Sequence, residues 1–394
     1  MNPLLALALL FVAGIAATHL HLPSFPLRRR LSLDLVLAAG APLVLLGVLL
    51  GPGAGVLDRD TLQIFAPVTA LGIGWIGAVF GAHLEWRVLR RISRRAWGRA
   101  ALQATAVLGL TALAAALLAR TVPALGAAWR PTVPAVLTLA AAATISGPGA
   151  VALVTRLVGV RRSVARRLER AALLDTAFGA LVLTLALALH HPHRPFVGVA
   201  IGWAKWLGVA AVVGGAVGVL AVWLARLRSD GHELGLDLLG VMLLGSGVAY
   251  GADLSPFVVC ALAAALIVNR SPDRRRVQGL LQAWEHPIYA VLLVVAGALL
   301  HLPTAWLLPA AILLGLVRVA ARWATGRFVP GSVGVATVAQ GAVAVAVALS
   351  FTLVYTGPPP GTVLTTVLLG VALAQAIAGP LMALALRPAP VEVR

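Results

Sequence analysis

SGPGAVALVTRLVGVRRSVARRLERAALLDTAFGALVL, residues 146–183, sets two apolar runs on either side of an arginine-rich loop and places Asp175 inside the second run. Both runs are continuously apolar rather than alternating with period 2, so they read as membrane helices and not as barrel strands. Two features break the apolar pattern. Ser146, Gly147, Pro148 and Gly149 fall in the middle of one run. There Pro removes a backbone donor and Gly permits non-helical angles. Asp175 is an ionisable residue deep in a span, which marks a functional site whose partner must be found.

The rest of the chain repeats the pattern. Its 394 residues are 60% hydrophobic and 11% charged, with a mean hydropathy of +0.97. An average soluble domain carries about 25% charged residues. Apolar stretches near the ~20 residues a membrane helix needs predict thirteen spans, at 2–20, 33–51, 61–82, 98–119, 133–155, 168–189, 206–225, 234–252, 254–268, 283–300, 304–325, 331–354 and 361–385. The fold class is thus an all-α polytopic membrane protein. The first segment lacks a basic leader and reads as a retained span rather than a signal peptide.

The net charge of +18 follows the same topology. Of 31 Lys and Arg residues, 25 fall in alternate gaps, the 322–327 turn and the C-terminal tail among them. The opposite loops hold four: Arg59, Arg120, Arg130 and Arg194. This positive-inside bias predicts a multi-pass protein of the cell membrane with its N-terminus outside and its C-terminus cytoplasmic. The partner of the basic charge is the lipid bilayer, and nucleic acid is excluded. GIGWIG (72–77) satisfies GxGxxG but lies mid-span without the strand–turn–helix context of a dinucleotide site, so it reads as close helix packing. HHPHRP (190–195) reads as a solvated turn, Lys205 as an interfacial lysine between Trp203 and Trp206, and Cys260 as a small core residue. No nucleophile–base pair or metal-ligand cluster appears within the spans; the chain is not an enzyme and needs no cofactor or resident metal.

Depth selects the partner of Asp175. Asp175 lies about 10 Å into span six and Arg318 about 10 Å from the same side in span eleven, at 1.5 Å per residue. An Asp175–Arg318 pair would let the membrane tolerate both charges. The break at 146–149 falls at that depth, and so does span twelve, with Gln340 and Gly341. Paired interruptions in two halves point to a transport site, because unwound backbone and opposed helix ends can hold an ion.

On these residues the chain resembles the monovalent cation:proton antiporter superfamily, the sodium/proton exchangers. Residues 146–183 resemble that family's Thr-Asp/Ser-Pro break followed by an Asn-Asp or Asp-Asp pair. VLLGPGAGVLD, GWIGAVFGAHLEWRVLRR, DLSPFVVCALAAALIVNRS and WEHPIYAVLLVVAGALLHL resemble further family segments in the same order. The resemblance implies two inverted repeats with crossed broken helices in spans five and twelve. It implies one transmembrane exchanger domain over 1–394, with a panel (2–82 and 234–300), a linker helix (206–225) and a core (98–189 and 304–385). It further implies a homodimer through the panel and elevator-like alternating access. In ungapped register Thr176 stands where the family has its principal carboxylate, and Gly147 where it has another oxygen ligand, while a one-residue slip in the arginine-rich loop returns Asp175 to the principal place.

The resulting expectation is exchange of protons for Na⁺ or K⁺. The cation and proton site would comprise Asp175, Thr176, Ser146 and Thr144, with Arg318 as basic partner and Gly147, Pro148, Gly149, Gln340 and Gly341 as broken-helix elements. The second reading is a divergent relative that does not exchange cations: a sensor, a regulatory subunit or an anion carrier, in which Asp175–Arg318 is a structural ion pair.

Overall fold

The computed structural model describes residues 40–53, 57, 59–190, 203–227, 233–271, 273–355 and 361–386. The first predicted span, Arg194 and the histidines at 191 and 193 lie outside these residues. All regular structure among the described residues is helical. Along the chain run α1 (Ala41–Val48), α2 (Arg59–Ile64), α3 (Ala66–Ala82), α4 (Trp86–Leu89), α5 (Arg94–Thr121), α6 (Pro123–Ala128), α7 (Thr132–Thr144) and α8 (Pro148–Val158). There follow α9 (Arg162–Leu189), α10 (Trp203–Leu227), α11 (Glu233–Gly251), α12 (Pro256–Arg270), α13 (Arg274–Ala298), α14 (Leu307–Phe328), a 3₁₀ turn (Gly334–Thr337), α15 (Ala342–Val354) and α16 (Gly361–Ala385).

Among the described residues, eight segments are long and apolar enough to cross a membrane, and four shorter apolar helices accompany them. These correspond to predicted spans two to thirteen. Large apolar side chains such as Leu113, Leu181, Leu243 and Leu316 point outward, as a lipid-facing surface requires. The fold is that of two inverted repeats with crossed broken helices. Each repeat holds one broken span: the first contains α5, α7–α8 and α9, the second α14, the 3₁₀ turn with α15, and α16.

Local sequence explains the boundaries. Ser93 caps α5, accepting from the Ala96 amide at 3.3 Å. Pro148 opens α8 at a position where its missing donor does no harm. Gly159 ends α8 in the left-handed region at φ 75°, which glycine adopts without a Cβ clash. One boundary differs from the sequence reading. The 322–327 turn is the last part of α14, which continues to Phe328, and Arg322 is fully buried. The helix has no breaker before that point, so its charged end stays in register with Arg318.

GIGWIG is helix packing, as the sequence indicates. Gly77 sits on the backbone of Phe257 and Gly81 on that of Ala261, which lets α3 and α12 approach closely. A side chain at Gly77 would overlap the Phe257 carbonyl. Gly77→Leu should therefore destabilise the protein by about 1–3 kcal/mol or more, read as a lowered thermal midpoint in detergent. An unchanged midpoint would refute this packing.

Candidate functional site

The two interrupted spans cross through their extended stretches. Between α7 and α8 the backbone of Ile145 and Gly147 is extended, and Gly341 is extended at the start of α15. The Gly147 amide donates to the Ala339 carbonyl at 3.1 Å, tying one break to the other. The Cβ of a larger residue at 147 would fall 2.9 Å from the Gly341 nitrogen, so glycine sets the closeness of the crossing.

Breaking α7 leaves its last carbonyls without helical partners. Side chains from the other repeat supply the donors. Gln340 Nε2 donates to the Ala142 carbonyl at 2.6 Å. Arg318 Nε donates to Ala143 at 2.6 Å, its Nη2 to Ile145 at 3.1 Å and its Nη1 to Val338 at 2.7 Å. Arg322 Nη2 donates to Thr144 at 2.8 Å. Gln375 Nε2 donates in turn to the Gln340 carbonyl. Cations at a helix C-terminus also meet the negative end of its dipole.

Asp175 is 1% exposed on α9 beside this crossing. Its Oδ2 accepts from Arg322 Nη1 at 2.8 Å, Gln103 Nε2 at 3.0 Å and Ser146 Oγ at 3.0 Å. The expected pairing with Arg318 is thus corrected: the ion pair is Asp175–Arg322. Arg318 lies one helical turn earlier on the same face, and its fork is taken up by three backbone carbonyls. Arg322 Nη1 also donates to Thr337 Oγ1 at 2.8 Å. Asp175 Oδ1 and Arg322 Nε are buried without hydrogen-bond partners.

The other predicted residues divide by role. Ser146 touches Asp175, and it is also 2.7 Å from the Thr337 carbonyl. Its single hydroxyl proton serves one of these acceptors at a time. Thr176 makes no bond to the carboxylate: its hydroxyl lies 2.6 Å from the Ser146 carbonyl and 2.8 Å from the Ala172 carbonyl, and its one proton serves either of them at a time. Thr144 turns its hydroxyl back to Ala140 at 2.9 Å, and only its carbonyl joins the network. Pro148 and Gly149 open α8, and Gln340 and Gly341 lie in the second break.

Four contributors were absent from the sequence-based set: Gln103, Ser332, Thr337 and Arg322. Gln103 bridges Asp175 and Ser332, whose Oγ donates to Gln103 Oε1 at 2.9 Å. Thr337 receives Arg322. A solitary glutamine in the apolar run ALQATAV was a usable signal for Gln103. Arg322 was hidden by its place near the predicted end of its span.

The comparisons with known proteins agree with this fold. The family described as sodium/hydrogen exchanger, transmembrane, matches residues 41–386. No curated protein sequence matches the chain. Two structures of the sodium proton antiporter MjNhaP1 from Methanocaldococcus jannaschii share the fold. One, at pH 8, gives a TM-score of 0.68 at 15% identity, covering 98% of this chain and 99% of that one. The other, an electron-microscopy map, gives 0.64 at 18% identity with the same coverage. With the family matched over most of its length, the chain belongs to the sodium/hydrogen exchangers of the monovalent cation:proton antiporter superfamily.

Proposed function

We propose that the protein exchanges protons for a monovalent cation, Na⁺ or K⁺, with Asp175 as the site both ions share. The observation that carries this reading is the asymmetry of the carboxylate: Oδ2 receives three donors while Oδ1 is buried with none. A buried acceptor left open disfavours the bare state and favours one in which a proton or a metal ion fills it.

Charge explains why the two ions compete. Asp175 and Arg322 together are neutral, and a proton or a monovalent cation adds one positive charge to the pair. Protonation removes the negative charge that would hold the metal, so one occupant excludes the other. The two loaded forms carry equal charge, so one-for-one exchange is electroneutral. Asp175 supplies the charge for a hard cation, and the Ser146 hydroxyl, 3.0 Å from Oδ2, and the Thr337 hydroxyl, which shares Arg322 Nη1 with it, would add neutral oxygens. Thr176 braces the break through its hydroxyl and Thr144 through its carbonyl.

In this reading the core (98–189 and 304–385) carries the site past a panel (2–82 and 234–300), with 206–225 as the linker and a homodimer formed through the panel. The arginine-rich face lies in the cytoplasm and the N-terminus outside. Helix packing supports the partition: α3 packs mainly on α12, α13 and α11, while α7 packs mainly on α5 and α9. The two groups meet where α15 touches α3.

A second reading is favoured by the 2.8 Å bond between Asp175 and Arg322 and by Thr176 at the family's principal acidic position. There the pair is purely structural and no cation is exchanged. The two readings part in proteoliposomes loaded with a pH-sensitive dye. Asp175→Asn should abolish Na⁺- or K⁺-driven proton movement, and the apparent KM of the wild type for the cation should rise as pH falls. Exchange by Asp175→Asn at the wild-type rate would sink the proposal.

Stability tests the ion pair separately. Arg322→Gln leaves Asp175 as an unpaired buried charge and should cost about 3–5 kcal/mol. Adding Asp175→Asn should recover part of that loss. Arg318→Gln should destabilise to a similar degree whichever residue stands at 175, because its partners are carbonyls. Thermal unfolding of the single and double variants measures the coupling, and a larger coupling to Arg318 than to Arg322 would overturn the assignment.

A further inference from the structure

A cleft of about 300 Å³ opens over Asp175 on the arginine-rich face. Arg91, Arg99, Arg167 and Arg170 line it, and Gln103 and Asp175 stand at its inner end. A vestibule built for a cation would be expected to carry carboxylates, yet these four guanidiniums have no carboxylate within 4.0 Å among the described residues. Arg167 alone of the four has a hydrogen bond there, to the Gly331 carbonyl at 2.6 Å. Nearby arginines outside the cleft do find partners: Arg274 pairs with Glu85 at 3.0 Å, and Arg90 stacks over Trp86 at 4.8 Å.

Three features of the cleft suit one ligand chemistry. Guanidinium forks match the oxygens of a phosphate group, and a cleft walled by one sign of charge concentrates its counter-ion. Ser93 and Ala96 also line the cleft, so the N-terminus of the 28-residue α5 faces it and adds its positive dipole end. The volume lies at the small end of ligand pockets, the scale of a short polyphosphate or a phosphorylated headgroup rather than of a macromolecule.

We propose that this cleft binds a phosphate-bearing anion, either free polyphosphate or the phosphorylated headgroup of a lipid, and that the bound anion closes Asp175 to its own side of the membrane. The anion would attract cations, but it would fill the space through which a hydrated cation reaches the carboxylate, and steric closure wins. Binding stands on the cleft alone. Its effect on exchange rests on the reading of Asp175 as the exchange site.

The test uses the full chain in nanodiscs. In neutral lipid, inorganic tripolyphosphate should raise the thermal midpoint saturably, because a ligand of the folded state stabilises it. In a second arm, nanodiscs containing phosphatidylinositol phosphate and no free phosphate should do so if the source is a headgroup. A shift in either arm supports the site and identifies the source. Arg99→Gln/Arg170→Gln should weaken binding about tenfold or more, the loss of charge-assisted contacts. Arg275→Gln, outside the cleft, should leave it unchanged. Should the double variant not fold, Arg91→Gln replaces it, with a smaller loss expected. No shift in either arm, or a shift indifferent to these arginines, overturns the site. In proteoliposomes the same anion should slow exchange when added to the arginine-rich face, and binding without slowing overturns the closure. If the wild type exchanges no cation, the reading of Asp175 fails while the thermal shift still decides the site.

Discussion

The carbonyls at the broken end of α7 are the constraint on which the rest of the site depends. A membrane interior offers no water to a helix end, so each orphaned carbonyl needs a protein donor. Ala142, Ala143, Thr144 and Ile145 find theirs in Gln340, Arg318 and Arg322, all from the opposite repeat. Leaving one unpaired would cost about 1–3 kcal/mol. Two arginines four residues apart on α14 place both forks on the same helix end. The break thus brings two cations into the bilayer, and the cations in turn make a buried carboxylate tolerable. Asp175 is the answer to Arg322 as much as Arg322 is the answer to Asp175.

The same bonds show how the carboxylate can change its charge without dismantling the crossing. Without the Asp175 contact, Arg322 still donates to the Thr144 carbonyl and to Thr337 Oγ1. Arg318 does not depend on Asp175 for any hydrogen bond. Ser146 can give its proton to the Thr337 carbonyl instead of to the acid. Each neighbour of Asp175 therefore has a second partner, so neutralising the acid moves protons and contacts locally while the backbone crossing stays intact.

Much of this architecture was legible in the chain because lipid imposes strong rules. Continuous apolar runs, alternating basic loops and the Ser146–Gly149 interruption gave the spans, the break and the acid directly. What escaped was set by tertiary contact. Arg318 and Arg322 share a helix face, and nothing local tells which fork takes carbonyls and which takes the carboxylate. Arg322 also lies near the cytoplasmic end that composition assigns to its span, so it passed for one more topological arginine. Thr144 and Thr176 were natural oxygen ligands by residue type, but a threonine in a helix can turn its hydroxyl onto the preceding carbonyl. Both do so here.

The hydrogen-bond surroundings of positions 175 and 176 differ in kind. The side chain at position 176 faces the Ser146 and Ala172 carbonyls. A hydroxyl can donate to these, whereas an ionised carboxylate there would meet oxygen with oxygen. Position 175 is surrounded by the opposite chemistry: a guanidinium, an amide and a hydroxyl, all able to donate. An acid at 175 and a donor at 176 are therefore each matched to their surroundings, and exchanging them would leave both mismatched. The donors of α5 and α14 converge on the carboxylate at 175.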